Sequence, residues 1–120
     1  MMASFFCHGQ LLEIPVVFPE GQTMAVDKLA GLISRVTMDT LLADIAHEVN
    51  EACYAQSDYR PMQADHDELA ADLQILDINA YAADAVLRLA SPTFLPDMFI
   101  SCQLSYQGRR KNLEIYDKPR

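Results

Sequence analysis

The sequence has few of the residues from which common functional motifs are built. It has no tryptophan, four isolated glycines and three widely separated cysteines. The isolated glycines exclude a glycine-rich phosphate loop, and no serine lies in a Gly-x-Ser-x-Gly setting. An odd number of cysteines without a Cys-x-x-Cys pair predicts reduced, mostly buried thiols.

Signals for export and for membrane insertion are also missing. The first basic residue is Lys28, so the chain lacks the charged start of a signal peptide. The longest apolar runs, such as residues 14–18, are far shorter than the ~20 residues that span a bilayer. We therefore expect a cytoplasmic protein that does not bind a membrane.

The chain has the size and composition of one domain. Its 120 residues are 51% hydrophobic and 22% charged, which is enough apolar material for one continuous core. We therefore predict a single α+β domain over residues 1–120, for which the order of the predicted elements gives the class.

Strands are predicted at both ends of the chain. Residues 4–7 and 10–18 are rich in aromatic and branched side chains, and His8-Gly9 between them predicts a hairpin turn. From Met98 to Tyr106, apolar and polar residues alternate with the period of two that is typical of a strand. A turn at 107–110 and a short partner strand at 113–116 follow.

Helices are predicted between these strands. Thr23 is a candidate cap for a helix with apolar residues at 26, 29, 33 and 36. The next helix is the clearest, because apolar residues recur along one side at steps of three and four. These residues are Met38, Leu42, Ile45, Val49 and Cys53.

Two more helices are predicted after a loop at residues 56–61. Asp65 is a candidate N-cap with Glu68 three residues later, and leucines at 69, 73 and 76 face inward. A change of phase near residues 77–79 predicts a break, followed by a buried helix from about Ile78 to Ala90. Asp84 and Arg88 would pair across one turn of that helix.

This order of elements predicts how the α+β domain is built. The N-terminal and C-terminal strand segments form one antiparallel sheet, and three or four central helices pack on one of its faces.

Acidic residues are concentrated in the middle of the chain. Between residues 39 and 84 there are eleven acidic residues and one base, Arg60, whereas the last twenty residues are net basic. This charge argues against direct nucleic-acid binding, which needs surfaces lined with Lys and Arg. The acidic region either keeps the protein soluble or forms a docking surface for a basic protein partner.

The candidate partner-binding residues follow the polar side of the helix at 38–53, the loop after it and the next helix start. Two tyrosines flank the loop, where an aromatic ring with a polar tip suits a protein contact. The full set is Asp44, His47, Glu48, Glu51, Tyr54, Asp58, Tyr59, Asp65, Asp67 and Glu68.

Neither a metal nor a cofactor is expected. His47 and Glu51 share a helix face, but residues 47–51 lack the second histidine of a zincin helix, and His66 belongs to a capping turn. Cys7 and His8 are adjacent, and adjacent side chains of a strand point to opposite faces, so a thiolate–imidazole pair is not predicted.

In size and charge, the chain resembles small inhibitors such as bacterial immunity proteins and the anti-defence proteins of phages and plasmids, anti-CRISPR proteins among them. We therefore expect a non-catalytic, acidic protein-binding module that blocks a basic nuclease or a nucleic-acid-binding effector. Two alternatives stay open: a structural subunit that forms a homodimer or larger oligomer through a sheet edge, and a small enzyme with a site around His47, Glu48 and Glu51.

Overall fold

The computed structural model describes residues 1–19 and 25–119. This part of the chain forms six strands and three helices, which follow one another in the order β-β-α-α-α-β-β-β-β. The elements are β1 (Met2–Cys7), β2 (Gln10–Val17), α1 (Ala25–Arg35), α2 (Met38–Cys53), α3 (Gln63–Asp72), β3 (Gln74–Ala80), β4 (Asp84–Ser91), β5 (Leu95–Ser105) and β6 (Arg110–Asp117).

The strands lie in one sheet in sequence order, from β1 to β6. The α+β class is confirmed, but the expected antiparallel sheet is mixed, because β2 and β3 pair in parallel. A parallel pair needs a long crossover, and the segment that contains the three helices supplies it. All other neighbouring strands are antiparallel.

The hairpin predicted at the N-terminus is confirmed. His8 and Gly9 have φ angles of 53° and 76°, and Cys7 pairs directly with Gln10. Two consecutive positive φ angles are those of a type I′ turn, whose twist matches that of the two strands. The predicted C-terminal strands are also present as β5 and β6.

The buried helix predicted from Ile78 to Ala90 is wrong, because this segment belongs to the β3–β4 hairpin. Its alanines and leucines favour a helix locally, whereas Ala85, Leu87 and Leu89 alternate with more exposed residues and are at most 2% exposed. Tertiary packing of this alternating face outweighs the helix propensity.

Several smaller predictions near this segment are also wrong. The predicted pair of Asp84 with Arg88 does not form, since Arg88 binds Asp77 and the Asp84 carboxylate accepts from Lys111 Nζ. α3 begins at Gln63 and ends at Asp72, so Leu76 lies in β3 and not in a helix. The position that caps α3 is Met62, not Asp65.

Two predictions about the first two helices have different outcomes. The Thr23 cap lies outside the described residues. The expectation that Cys53 lies in the core is wrong, because it is exposed at the last turn of α2. Met38, Leu42, Ile45 and Val49, on the same side of the helix, are buried as predicted.

The core lies between the helices and one face of the sheet. On the sheet side, residues 100, 102 and 104 of β5 are at most 1% exposed. On the helix side, Leu29 of α1 and Leu42 and Ile45 of α2 are equally buried. The other side of the helices is therefore left for solvent or a partner.

Candidate functional site

The polar side of α2 divides into two regions that face different neighbours. Glu48 forms an ion pair with Arg110 at the start of β6, and Asp44 borders a groove that Arg110 also lines. Part of the predicted acidic face is therefore neutralised by the basic C-terminal segment of the same chain. The second region faces α3.

Between α2 and α3 lies a cleft of about 120 Å³, called the α2–α3 cleft below. Apolar side chains and aromatic rings line it together with two carboxylates, Asp65 and Glu68, that the sequence singled out. The lining residues are Val49, Asn50, Cys53, Tyr54, Asp65, Glu68, Leu69, Phe94 and Leu95.

The loop after α2 is fixed to the start of α3 by Asp65. The Asp65 carboxylate accepts hydrogen bonds from the Met62 backbone N–H (2.8 Å) and the Tyr59 hydroxyl (2.6 Å). These bonds lower the pKa of Asp65, and the bond to Asp65 raises the pKa of Tyr59. The Tyr59 ring also packs against Tyr54, with 5.1 Å between the ring centroids.

The rim formed by the β4–β5 turn is tied to the end of α3. The Asp72 carboxylate accepts from the buried Ser91 hydroxyl (2.6 Å) and from the backbone N–H groups of Thr93 (2.9 Å) and Phe94 (3.4 Å). Phe94 is 48% exposed, so this anchored turn presents an aromatic ring beside the cleft.

The structure also brings three residues with metal-ligating atoms together beside the cleft. His47 and Glu51 lie one turn apart on α2, and α3 places His66 next to them. The His47 and His66 rings stack at 4.3 Å, and His66 Nδ1 contacts the buried Asn50 amide at 3.0 Å.

The remaining predicted residues are exposed near this end of the molecule. Asp58 lies in the loop, and Asp67 of α3 accepts a hydrogen bond from Gln63. The structure therefore groups Tyr54, Asp65 and Glu68 at the cleft, whereas Asp44 and Glu48 belong to the other region.

The reasoning about Cys7 and His8 is wrong in its geometry. His8 is the first turn residue and not a strand residue, so the alternation of side chains stops there. The two side chains come within ligand range of each other and of Asp39. Burial, followed by the nearby Asp39 carboxylate, raises the pKa of the Cys7 thiol to about 11.

Sequence reasoning missed Phe94, Asn50 and the role of His66. An aromatic residue in the polar turn Ser91-Pro92-Thr93-Phe94 is a usable signal for an exposed contact. Nothing in the spacing of Asn50 and His66 indicates that they meet, because their contact depends on how α2 and α3 pack.

Comparisons with protein-family models, with curated proteins and with solved structures found no match. Within the described residues, every helix is too short or too polar to cross a membrane.

Proposed function

We propose that the protein is a non-catalytic binding module whose α2–α3 cleft takes a Lys or Arg side chain of a basic protein partner. The observation that carries the proposal is the combination of groups at one cleft. The rings of Tyr54 and Phe94 and the carboxylates of Asp65 and Glu68 line it around an apolar floor.

Each of these groups matches one part of a long basic side chain. The apolar floor, which includes Val49 and Leu69, suits its aliphatic stem. An aromatic face attracts its cation, and carboxylates at the rim neutralise it. The chain's net charge of −8 would also accelerate encounter with a basic partner.

A basic nuclease or nucleic-acid-binding effector is the partner class that this chemistry favours. Such proteins present Lys and Arg on the surface that contacts nucleic acid. An acidic module bound there would block that surface, and this would make the protein an inhibitor of the immunity or anti-defence type.

Replacing Glu68 by lysine or Tyr54 by alanine should weaken partner binding at least about tenfold, because each change removes one wall of the cleft. Both residues are exposed, so the fold should remain intact. Proteins captured from host lysate by the wild type would be purified, and their affinity for each variant measured between about 50 and 300 mM salt.

Asp117→Lys is the matched control, since it makes the same charge change on exposed β6. Chemical shifts on titration with an octa-arginine peptide should change first around the α2–α3 cleft. Unchanged affinity in both cleft variants, or equal loss in Asp117→Lys, would leave only general charge attraction and would contradict the proposal.

A second candidate function, a subunit that oligomerises through a sheet edge, is favoured by β1. Residues 1–12 contain no Asp, Glu, Lys or Arg, whereas the other edge strand, β6, carries four charged residues among its eight. Charges on edge strands protect proteins against strand pairing, so β1 is the unprotected edge. Five of the nine exposed large hydrophobic residues in the described chain lie in the β1–β2 hairpin or next to it: Met1, Met2, Phe6, Leu11 and Val17.

The backbone of β1 is suited to pair with a second copy. Val16 N–H donates to the Met1 carbonyl, so by alternation Met2, Ser4 and Phe6 direct their own backbone groups outward. Antiparallel pairing about Ser4 would place Met2 of one copy opposite Phe6 of the other.

Light scattering should then show a dimer of the wild-type protein. Ser4→Pro should dissociate this dimer, and the control Val17→Lys should leave it intact. A monomeric wild type at high protein concentration would exclude this candidate.

A further inference from the structure

We propose that His47, Glu51 and His66 form a binding site for a divalent transition-metal ion, with Zn²⁺ as the best match. One ligand atom from each of the three residues lies within 4.8 Å of the other two. This proposal is independent of the proposed function, because metal binding by the isolated protein does not require a protein partner. It replaces the expectation of no metal, which depended on the ligands failing to converge.

The donor set selects the class of ion. Two imidazole nitrogens and one carboxylate oxygen are the ligands of many zinc sites, whereas Mg²⁺ and Ca²⁺ prefer oxygen alone. Three protein ligands also leave a fourth tetrahedral position for water or for a group of another molecule.

To reach a zinc geometry, the His47 ring must turn out of its stack on His66, because stacked rings do not direct their nitrogen lone pairs at one ion. His47 Nε2 and Glu51 Oε1 are 4.0 Å apart, and tetrahedral ligands at zinc distances lie roughly 3.3 Å apart. The His47 and Glu51 side chains are 60% and 58% exposed, so there is room on the solvent side for both to rotate. His66 is the fixed member of the set.

Asn50 is the buried polar neighbour of the His66 ring. Asn50 and His66 are only 8% and 6% exposed, and the Asn50 amide contacts His66 Nδ1 at 3.0 Å. The amide nitrogen, Nδ2, is the atom that faces His66 Nδ1, so ligation through Nε2 requires the Asn50 amide to turn until its oxygen accepts from Nδ1–H. This contact also fixes the ring orientation.

A competing cluster of Cys7, His8 and Asp39 is less suited to bind the ion. Asp39 Oδ1 already accepts from the His8 backbone N–H at 2.8 Å. The Cys7 thiol must lose its proton to become a ligand, and its burial works against this. A His8→Ala variant distinguishes the two clusters.

Metal-stripped protein titrated with ZnCl₂ in a calorimeter should bind one equivalent, and Co²⁺ should give the visible absorption of a tetrahedral site. His47→Ala and Glu51→Gln should each weaken Zn²⁺ binding at least tenfold, since second-shell and ligand changes have effects of this size or larger. Because both residues are exposed, circular dichroism and the apo melting temperature should not change.

His8→Ala and Asp44→Asn are the matched controls, one for each ligand type, and both should bind Zn²⁺ like the wild type. Zn²⁺ should also raise the melting temperature of the wild type, because it joins α2 to α3 in the native state only. No binding at millimolar Zn²⁺, loss only in His8→Ala, or equal loss in Asp44→Asn would each overturn the proposal.

Discussion

Replacing Leu104 by alanine should lower the free energy of unfolding by about 2–4 kcal/mol. Leu104 is 1% exposed and lies in β5, between β4 and β6. Its side chain lines the same apolar space as Leu29 of α1, Leu41 of α2 and Leu87 of β4. Truncation would therefore remove contacts between the sheet and both helices at once and leave a cavity.

Urea denaturation of the variant beside a neighbouring control tests this prediction. Ser101→Ala, on the opposite face of β5, should change the unfolding free energy by less than about 0.5 kcal/mol. Gln103 is a poorer control on the same face, because its amide donates to Asp84 at 2.5 Å. Equal shifts in Leu104→Ala and Ser101→Ala would mean that the helices do not cover the inner face of β5.

Some strands could be predicted from sequence because they show a period of two or a turn signal and because their residues do not also favour a helix. In β5, Ile100, Cys102 and Leu104 alternate with polar residues, and His8-Gly9 marks the β1–β2 turn. β4 has the same alternation, but it consists largely of Ala, Leu and Arg, which also have high helix propensity. Its turn at 81–83 contains no Gly or Pro to mark it.

The candidate site could be predicted only where it depends on one helix. Apolar periodicity placed the polar side of α2 correctly, including His47 and Glu51. It could not show that Arg110 neutralises Glu48, or that α3 brings His66 to the same place, because both contacts join segments far apart in sequence. Periodicity indicates on which face of a helix a residue lies. The segments that this face contacts depend on how the helices and strands pack.

Asp72 at the end of α3 gives the second large effect on stability. Its position alone is unfavourable, since a carboxylate in the last turn of a helix opposes the helix dipole by about 0.3–1 kcal/mol. Burial also opposes its charge, yet the hydrogen bonds from Ser91, Thr93 and Phe94 lower the pKa of Asp72. Those contacts, which join α3 to the β4–β5 turn, therefore outweigh the cost of burial.

Asp72→Ala should accordingly destabilise the protein by about 2 kcal/mol at pH 7, because the fully buried Ser91 hydroxyl loses its acceptor. Helix propensity and the helix dipole predict instead that Asp72→Ala stabilises the protein. The sign of the change in unfolding free energy therefore decides between these effects and the hydrogen bonds of Asp72. Asp67→Ala, an exposed acid on the same helix, is the control: it loses a solvent-exposed hydrogen bond from Gln63 and should change stability by less than about 0.5 kcal/mol.

The pH dependence of this effect has a definite sign. A carboxyl whose pKa is lower in the folded than in the unfolded state stabilises the fold above the unfolded value, about 3.9, and this contribution is lost as pH falls through the folded pKa. The difference between wild type and Asp72→Ala should thus be constant from pH 7 to about 5 and shrink below about 4. A double-mutant cycle with Ser91→Ala, followed by urea unfolding across this range, isolates the shared hydrogen bond. A difference that grows as pH falls, or no coupling between the two residues, would show that Asp72 does not anchor the turn that carries Phe94.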